Sequence, residues 1–257
     1  MKLLKTHAMY QSETIILDKN IDLDNLNNKL LNMKDSDSFI IVHKNGISNI
    51  IKNNIGIFSG NQFAYIPNLK EFQFEDTWFI KKPSINILDK ILFINKELFN
   101  KYQTEFYIPI YWNIKNKEYE IIMPKQSVNS ASVTFEYIQD PNLILVIDLH
   151  SHGNMSAFFS STDDTNDSTR FKLSMVIGKN DNIVSRMVIN SIAYSIDVNE
   201  IFNSKERIDI DKIKFTSNKL EIKKHKIKKD YKYHNELDKG GCFELDEDGY
   251  EYYVYNF

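Results

Sequence analysis

Leu143-Ile144-Leu145-Val146-Ile147-Asp148-Leu149-His150-Ser151-His152 runs from a nearly continuous apolar segment directly into two imidazoles. An apolar run of this length reads as a short strand buried on both faces. Residues two apart on a strand point to the same side, so His150 and His152 can converge on one point. Ser160 and Asp163 follow, which gives the pattern His-Ser-His-x7-Ser-x2-Asp. Two imidazoles and one carboxylate form a three-ligand set for zinc, with the fourth tetrahedral corner left for water, as in hydrolytic sites. A metal there brings the pKa of water down toward ~7 and polarises the carbonyl under attack. A His-x-His pair at a strand end is by itself commonly a surface pair, and the Ser and Asp at set offsets are what turn the reading to metal. Asp164 is one residue off the spacing and is the weaker ligand. Asp148, two residues before His150 on the ligand side, either orients an imidazole or is solvated. Thr162 and Asp163-Asp164 also suit the cap of a helix starting near Thr165, a role compatible with ligation.

Outward from this stretch, Phe171 to Gly178 and Ile183 to Ile196 read as strands, with Lys179-Asn180-Asp181-Asn182 as the turn between them. Upstream, Pro83-Ser84 introduces the strongest helix. Ser84 can cap it, and Ile87, Leu88, Ile91, Leu92, Leu98, Phe99 and Tyr102 share one face. Thr104-Glu105 ends that pattern. Phe106 to Trp112 and Tyr119 to Met123 read as a hairpin, Pro124-Lys125-Gln126 as a break, and Ala131 to Tyr137 as another strand. Before residue 83, Asp22 to Met33 has helical spacing with acids at its start. Phe39 to Val42 and Ile47 to Ile51 flank a turn containing Asn45-Gly46, a hairpin signal. Phe63 to Ile66 and Phe72 to Phe79 are further strand candidates. The organisation expected is therefore α+β, with a small N-terminal α+β domain at 1–82, a central domain at 83–199, and an extension at 200–257 that is charged and then aromatic.

At the centre, His150 through Asp164 resembles the signature of the JAB/MPN metallopeptidases, or JAMM proteins. Ala157-Phe158-Phe159-Ser160-Ser161-Thr162-Asp163-Asp164 resembles the prokaryotic branch carried on plasmids, phages and other mobile elements, and is similar to the PRTRC system protein A group. The resemblance spans about residues 84 to 198. It implies a JAB/MPN core of cytidine deaminase-like type, a mixed β-sheet flanked by helices, with Zn2+ held by His150, His152 and Asp163. It also implies an upstream glutamate as general base, and Glu105 stands at that place, after the amphipathic helix and before Phe106-Tyr107-Ile108. Glu118, Glu120 and Glu136 compete by composition alone. Ser160 is assigned as a donor to the oxyanion, and Ser151 as structural. Many family members carry Pro after the second His; Gly153 here is expected to alter loop stiffness more than ligation.

The activity implied is cleavage of peptide or isopeptide bonds after the C-terminus of a ubiquitin-like or sulfur-carrier-like protein. Activating- or conjugating-enzyme-like proteins would be further partners, and the partner's tail would lie extended beside a strand edge. The alternative from another class is a non-catalytic binding or scaffold module of a plasmid or phage system. A metal-dependent role in DNA maintenance is disfavoured, because 35 acids against 32 bases leave a net charge of −3 and no basic excess for a phosphate backbone. Nucleic acid is thus not an expected partner.

One cysteine, Cys242, removes an internal disulfide framework and any Cys-based zinc cluster. No segment approaches the ~18 unbroken apolar residues of a membrane span, and the N-terminus has no signal-type apolar core, so the expected compartment is the cytoplasm. His7, His43, His225 and His234 lack ligand spacing. The lysine run Lys223 to Lys229 is read as a solvated face, nearly compensated by the acids from Glu244. Tyr250 to Phe257 has strand propensity.

Overall fold

The structure, a computed structural model, describes residues 12–35, 37–223, 241–245 and 251–255, the last two segments by backbone course. The protein is a mixture of α and β with several sheets and few helices, compatible with a JAB-like fold. Two compact units are present. One comprises Met1–Lys82, Ser160–Ser174 and Ser185–Asp197, and the other Pro83–Phe159, Met175–Val184 and Val198–Phe257.

Within residues 1–82, strand β1 (Glu13–Ile16), helix α1 (Leu23–Leu31) and strand β2 (Ser38–His43) form a β-α-β passage with β1 and β2 parallel. Asp22 caps α1 through the N–H groups of Asp24 and Asn25. The Asn45-Gly46 hairpin leads into β3 (Gly46–Asn53), and β4 (Gly56–Phe63) and β5 (Thr77–Trp78) complete a sheet of order β1-β2-β3-β4-β5. Leu26 and Leu30 of α1 pack with Phe39, Ile41, Ile50, Ile57 and Phe72 into one core. The expected strands at Phe63 to Ile66 and Phe72 to Phe79 are displaced. The Asn53 side chain accepts from the N–H groups of Ile55 and Gly56, turning the chain early so that β4 starts at Gly56, and β5 is only two residues long.

Ser84 caps helix α2 (Ile85–Tyr102), whose Ile87, Leu88, Ile91 and Ile94 are buried, and Gln103 ends it in the left-handed region. Then come β6 (Ile110–Asn113), β7 (Glu118–Met123), β8 (Gln126–Asn129), β9 (Ser132–Phe135) and β10 (Leu143–Ser151). Regular pairing of β6 starts at Ile110, later than Phe106, because Pro109 has no N–H to give the ladder. Strand β8 lies where a break was expected, resuming two residues after Pro124.

Beyond β10 follow helix α3 (Ser161–Asn166), β11 (Phe171–Ile177), β12 (Ile183–Ile189) and β13 (Ile192–Ser195). Ile183 to Ile196 is thus two strands. Asn190 and Ser191 both have positive φ, the two-residue turn that joins antiparallel neighbours without splaying them. Helix α4 (Val198–Ile201), β14 (Lys214–Ser217), β15 (Leu220–Lys223), β16 (Gly241–Leu245) and β17 (Glu251–Tyr255) complete the described chain. The central sheet has order β13-β12-β11-β10-β6-β7-β14, and the third sheet β16-β17-β15-β8-β9. The aromatic C-terminal stretch supplies β17, paired with β15 and β16. No helix among the described residues is long and apolar enough to cross a membrane.

Candidate metal centre

Strand β10 carries the two imidazoles. Val146 to Leu149 are buried, while Leu143 to Leu145 are half-buried, so only the second half of the apolar run is enclosed. At its end Tyr107 bridges to His150 in antiparallel sense. The Ile108 N–H donates to the Leu149 carbonyl at 2.8 Å and the Ser151 N–H to the Phe106 carbonyl at 2.8 Å. Ser151 points away from the imidazoles. It is fully buried, and its Oγ accepts from the Phe106 N–H at 3.0 Å, a structural use of the residue between the two imidazoles.

The His152 N–H donates to the Ile177 carbonyl at 2.8 Å, which ties the end of β10 to β11. His152 Nδ1 faces the Ser156 carbonyl at 3.4 Å, and the Phe158 ring packs on the imidazole with centroids 4.5 Å apart. A carbonyl can only accept, so a hydrogen bond here requires the tautomer with the proton on Nδ1 and the lone pair on Nε2. Gly153 has φ of +54°, which proline with φ near −65° cannot adopt. A proline at this place would therefore force a different path on the loop, not only a stiffer one.

Ser160 and Asp163 form a reciprocal cap on α3. Ser160 Oγ accepts from the Asp163 N–H at 3.3 Å, and Asp163 Oδ2 accepts from the Ser160 N–H and from Ser160 Oγ, both at 2.7 Å. The helix starts at Ser161, four residues before the expected start, and its cap is Ser160 in place of Thr162 or Asp163.

Ligand atoms of His150, His152 and Asp163 all lie within 4.8 Å of one another, and they are the only such trio of His, Cys, Asp or Glu among the described residues. His150 Nε2 and His152 Nε2 are 3.2 Å apart. Two nitrogens at 2.0–2.1 Å from one tetrahedral zinc are separated by about 3.3 Å, so the pair is already spaced for a shared ion. The donor set, two imidazole nitrogens and one monodentate carboxylate oxygen, fits Zn2+ with one corner left over. The group could bind a metal.

Glu105 is buried at 5% exposure, and its N–H donates to the Asn129 carbonyl at 3.1 Å. Extending the Tyr107–His150 pairing by two residues sets Glu105 across from His152. Directly opposed residues in an antiparallel pair project to the same face, so Glu105 shares the imidazole side of the strands. The competing glutamates are engaged elsewhere or exposed. Glu120 holds Asn113 Nδ2 and Lys214 Nζ, each at 2.8 Å, Glu136 pairs with Lys125 at 2.8 Å, and Glu118 is exposed.

Asp148 is buried beside two phenols. Burial, and then the charge of Asp148, push Tyr107 well above its ordinary pKa and Tyr111 up to about 12. These tyrosines have no motif in the sequence and were reachable only through the β6–β10 pairing and the Tyr107–His150 bridge. His43 stands apart from the centre: Nε2 contacts Ser48 Oγ at 3.0 Å, and burial lowers its pKa. His7, His225, His234, the side chain of Cys242 and the run Lys224 to Lys229 lie outside the described residues.

Residues 91–190 match the family model described as prokaryotic homologs of the JAB domain. The match takes in most of α2, the β6–β10 strands, α3 and both ends of the ligand trio, and it supports the JAB/MPN family for this segment. No curated protein matches the chain.

Proposed function

We propose that this protein is a zinc-dependent hydrolase of peptide or isopeptide bonds that follow the C-terminus of a ubiquitin-like or sulfur-carrier-like protein. The matched family includes metallopeptidases, and its prokaryotic members extend to non-catalytic roles, so the site itself must decide. The observation that carries the reading is the convergence of His150, His152 and Asp163 with an Nε2–Nε2 spacing suited to one tetrahedral ion. The Ala157 to Asp164 stretch supports the mobile-element branch, similar to PRTRC system protein A.

Zinc held by His150, His152 and Asp163 would supply Lewis acidity for polarising the scissile carbonyl and acidifying a water. Glu105, on the imidazole face in a buried setting, takes the proton of the attacking water and returns it to the leaving amine. Ser160 orients Asp163 through its hydroxyl hydrogen, and a rotation of that hydroxyl turns the same hydrogen toward the oxyanion. The C-terminal tail of the partner docks extended, so that its last carbonyl meets the trio.

The test is zinc content after dialysis, in wild type and in His150→Ala/His152→Ala, together with intact-mass analysis of a ubiquitin-like protein carrying a peptide fused after its C-terminus. Near-stoichiometric zinc lost in the double variant, with cleavage lost in Glu105→Ala, supports the hydrolase. Wild-type zinc content in the double variant refutes the site. Zinc bound with no cleavage of any such fusion favours the second reading, a scaffold with an idle metal, which the commitment of the Ser160 hydroxyl to Asp163 also favours.

A further inference from the structure

We infer that Arg186 is the positioning residue for the metal ligand Asp163: it clamps α3 by its two outer carboxylates and so fixes the ligand between them. The inference rests on the metal reading of His150, His152 and Asp163.

Helix α3 is six residues long, Ser-Thr-Asp-Asp-Thr-Asn, and none of them is buried. A helix this short has no stability of its own, and without an apolar face the usual anchor of a surface helix is missing. Asp163 nevertheless has to sit at a fixed place to serve as a ligand. The cap by Ser160 holds Asp163 to its own helix.

What ties α3 to its surroundings is charge. Arg186 on β12 is 7% exposed, and its Nη1 donates to Asp164 Oδ1 at 2.7 Å, while its Nη2 lies 2.6 Å from Asp167 Oδ2. Asp167 is the C-cap of α3 and 6% exposed, and it also pairs with Lys172 on β11 at 2.5 Å. The guanidinium fork thus grips the helix at one residue beyond Asp163 and again at its end. A planar fork can hold two carboxylates at a set separation, which a lysine ammonium cannot do as well.

The charges also sort themselves. Asp164 pairs with Arg186, and Asp167 with both Arg186 and Lys172. Removing Arg186 leaves Asp167 buried with one cation fewer and three carboxylates crowded within five residues. The helix then leaves its place and takes Asp163 with it. Because binding and ordering are linked, zinc in turn would hold α3 down.

The experiment is zinc affinity by competition with a chromophoric chelator, with hydrogen exchange across α3, on the full chain. Arg186→Met is expected to weaken zinc about 10- to 100-fold, the range for groups that orient ligands. Arg186→Lys is expected to fall between Arg186→Met and wild type. Zinc should slow exchange of the α3 amides in wild type, and much less in Arg186→Met. The deciding comparison uses Asp163→Asn, in which the ligand is already impaired: adding Arg186→Met there should cost no further affinity. Equal losses in both backgrounds, or unchanged zinc affinity in a folded Arg186→Met, overturn the inference. If Arg186→Met does not fold, Asp164→Asn/Asp167→Asn removes the same contacts from the other side, and wild-type affinity there is equally decisive. Wild type that binds no zinc at all overturns the metal reading itself, a result distinct from every outcome above.

Discussion

Gly178→Ala tests how the loop after His152 is held. A Cβ at Gly178 would lie 2.1 Å from the Ala157 nitrogen, 2.5 Å from the Ser156 carbonyl carbon and 2.8 Å from the Met155 oxygen. All three are backbone atoms, so no side chain can swing aside. Ordinary contact begins near 3.4 Å, so the loop must retreat by about 1.3 Å. The Ser156 carbonyl stands 3.4 Å from His152 Nδ1, already at the limit of a hydrogen bond, and a retreat of that size breaks it. The Lys179 N–H bond to Met155 O, now 2.7 Å, stretches with it. Overpacking of this kind costs about 1–3 kcal/mol of stability, and losing the partner that orients a ligating imidazole costs about 10- to 100-fold in metal affinity. Urea unfolding of the metal-free protein reads the first, and chelator competition the second. A Gly178→Ala protein within about 0.5 kcal/mol of wild type, a change ordinary for an unconstrained surface position, and with unaltered zinc affinity would show that the loop does not hold His152.

Three further outcomes follow from single contacts. Ser151→Ala removes the acceptor of the buried Phe106 N–H and should cost about 1–3 kcal/mol in urea unfolding, while a neutral result would mean that water or another group reaches that N–H. Glu105→Gln should retain zinc but lower hydrolysis by about 10²- to 10⁴-fold, and full activity would remove Glu105 as the base. His43 is buried with its pKa held below 6.5, so the stability it contributes is complete above that value and is lost as pH falls through the lowered folded pKa. The urea midpoint should therefore drop with acidification in that window, less so in His43→Gln, and identical pH profiles would rule out this source.

The convergence of His150, His152 and Asp163 was legible because the three are close in sequence and sit at strand and helix ends, where spacing translates directly into direction. Ser84 and the apolar face of α2 were legible for the same reason, since capping and helical period are local. What escaped was set by pairing between distant segments. Strand β4 started at Gly56 because an Asn53 side chain turned the chain, and the Ile183 to Ile196 run split because Asn190 and Ser191 take left-handed backbone. Asn-Ser between two β-branched runs was a signal that could have been read as a turn. Arg186 had no local signal at all: it lies 22 and 19 residues from the carboxylates it holds, and only the pairing of β11 and β12 beside α3 brings them within reach. Tyr111 was likewise visible only once β6 lay against β10, and Tyr107 only through its bridge to His150. The path of the loop at Gly153 could not be read from the residue type, because glycine permits both the proline-like and the left-handed backbone.

X-ray absorption at the zinc edge of the reconstituted protein addresses the ligand set most directly. Two imidazole nitrogens at about 2.0–2.1 Å with an oxygen-only remainder, and loss of one oxygen shell contribution in Asp163→Ala, is the spectrum expected. A shell containing sulfur or a third imidazole, or one unchanged by Asp163→Ala, would contradict the account.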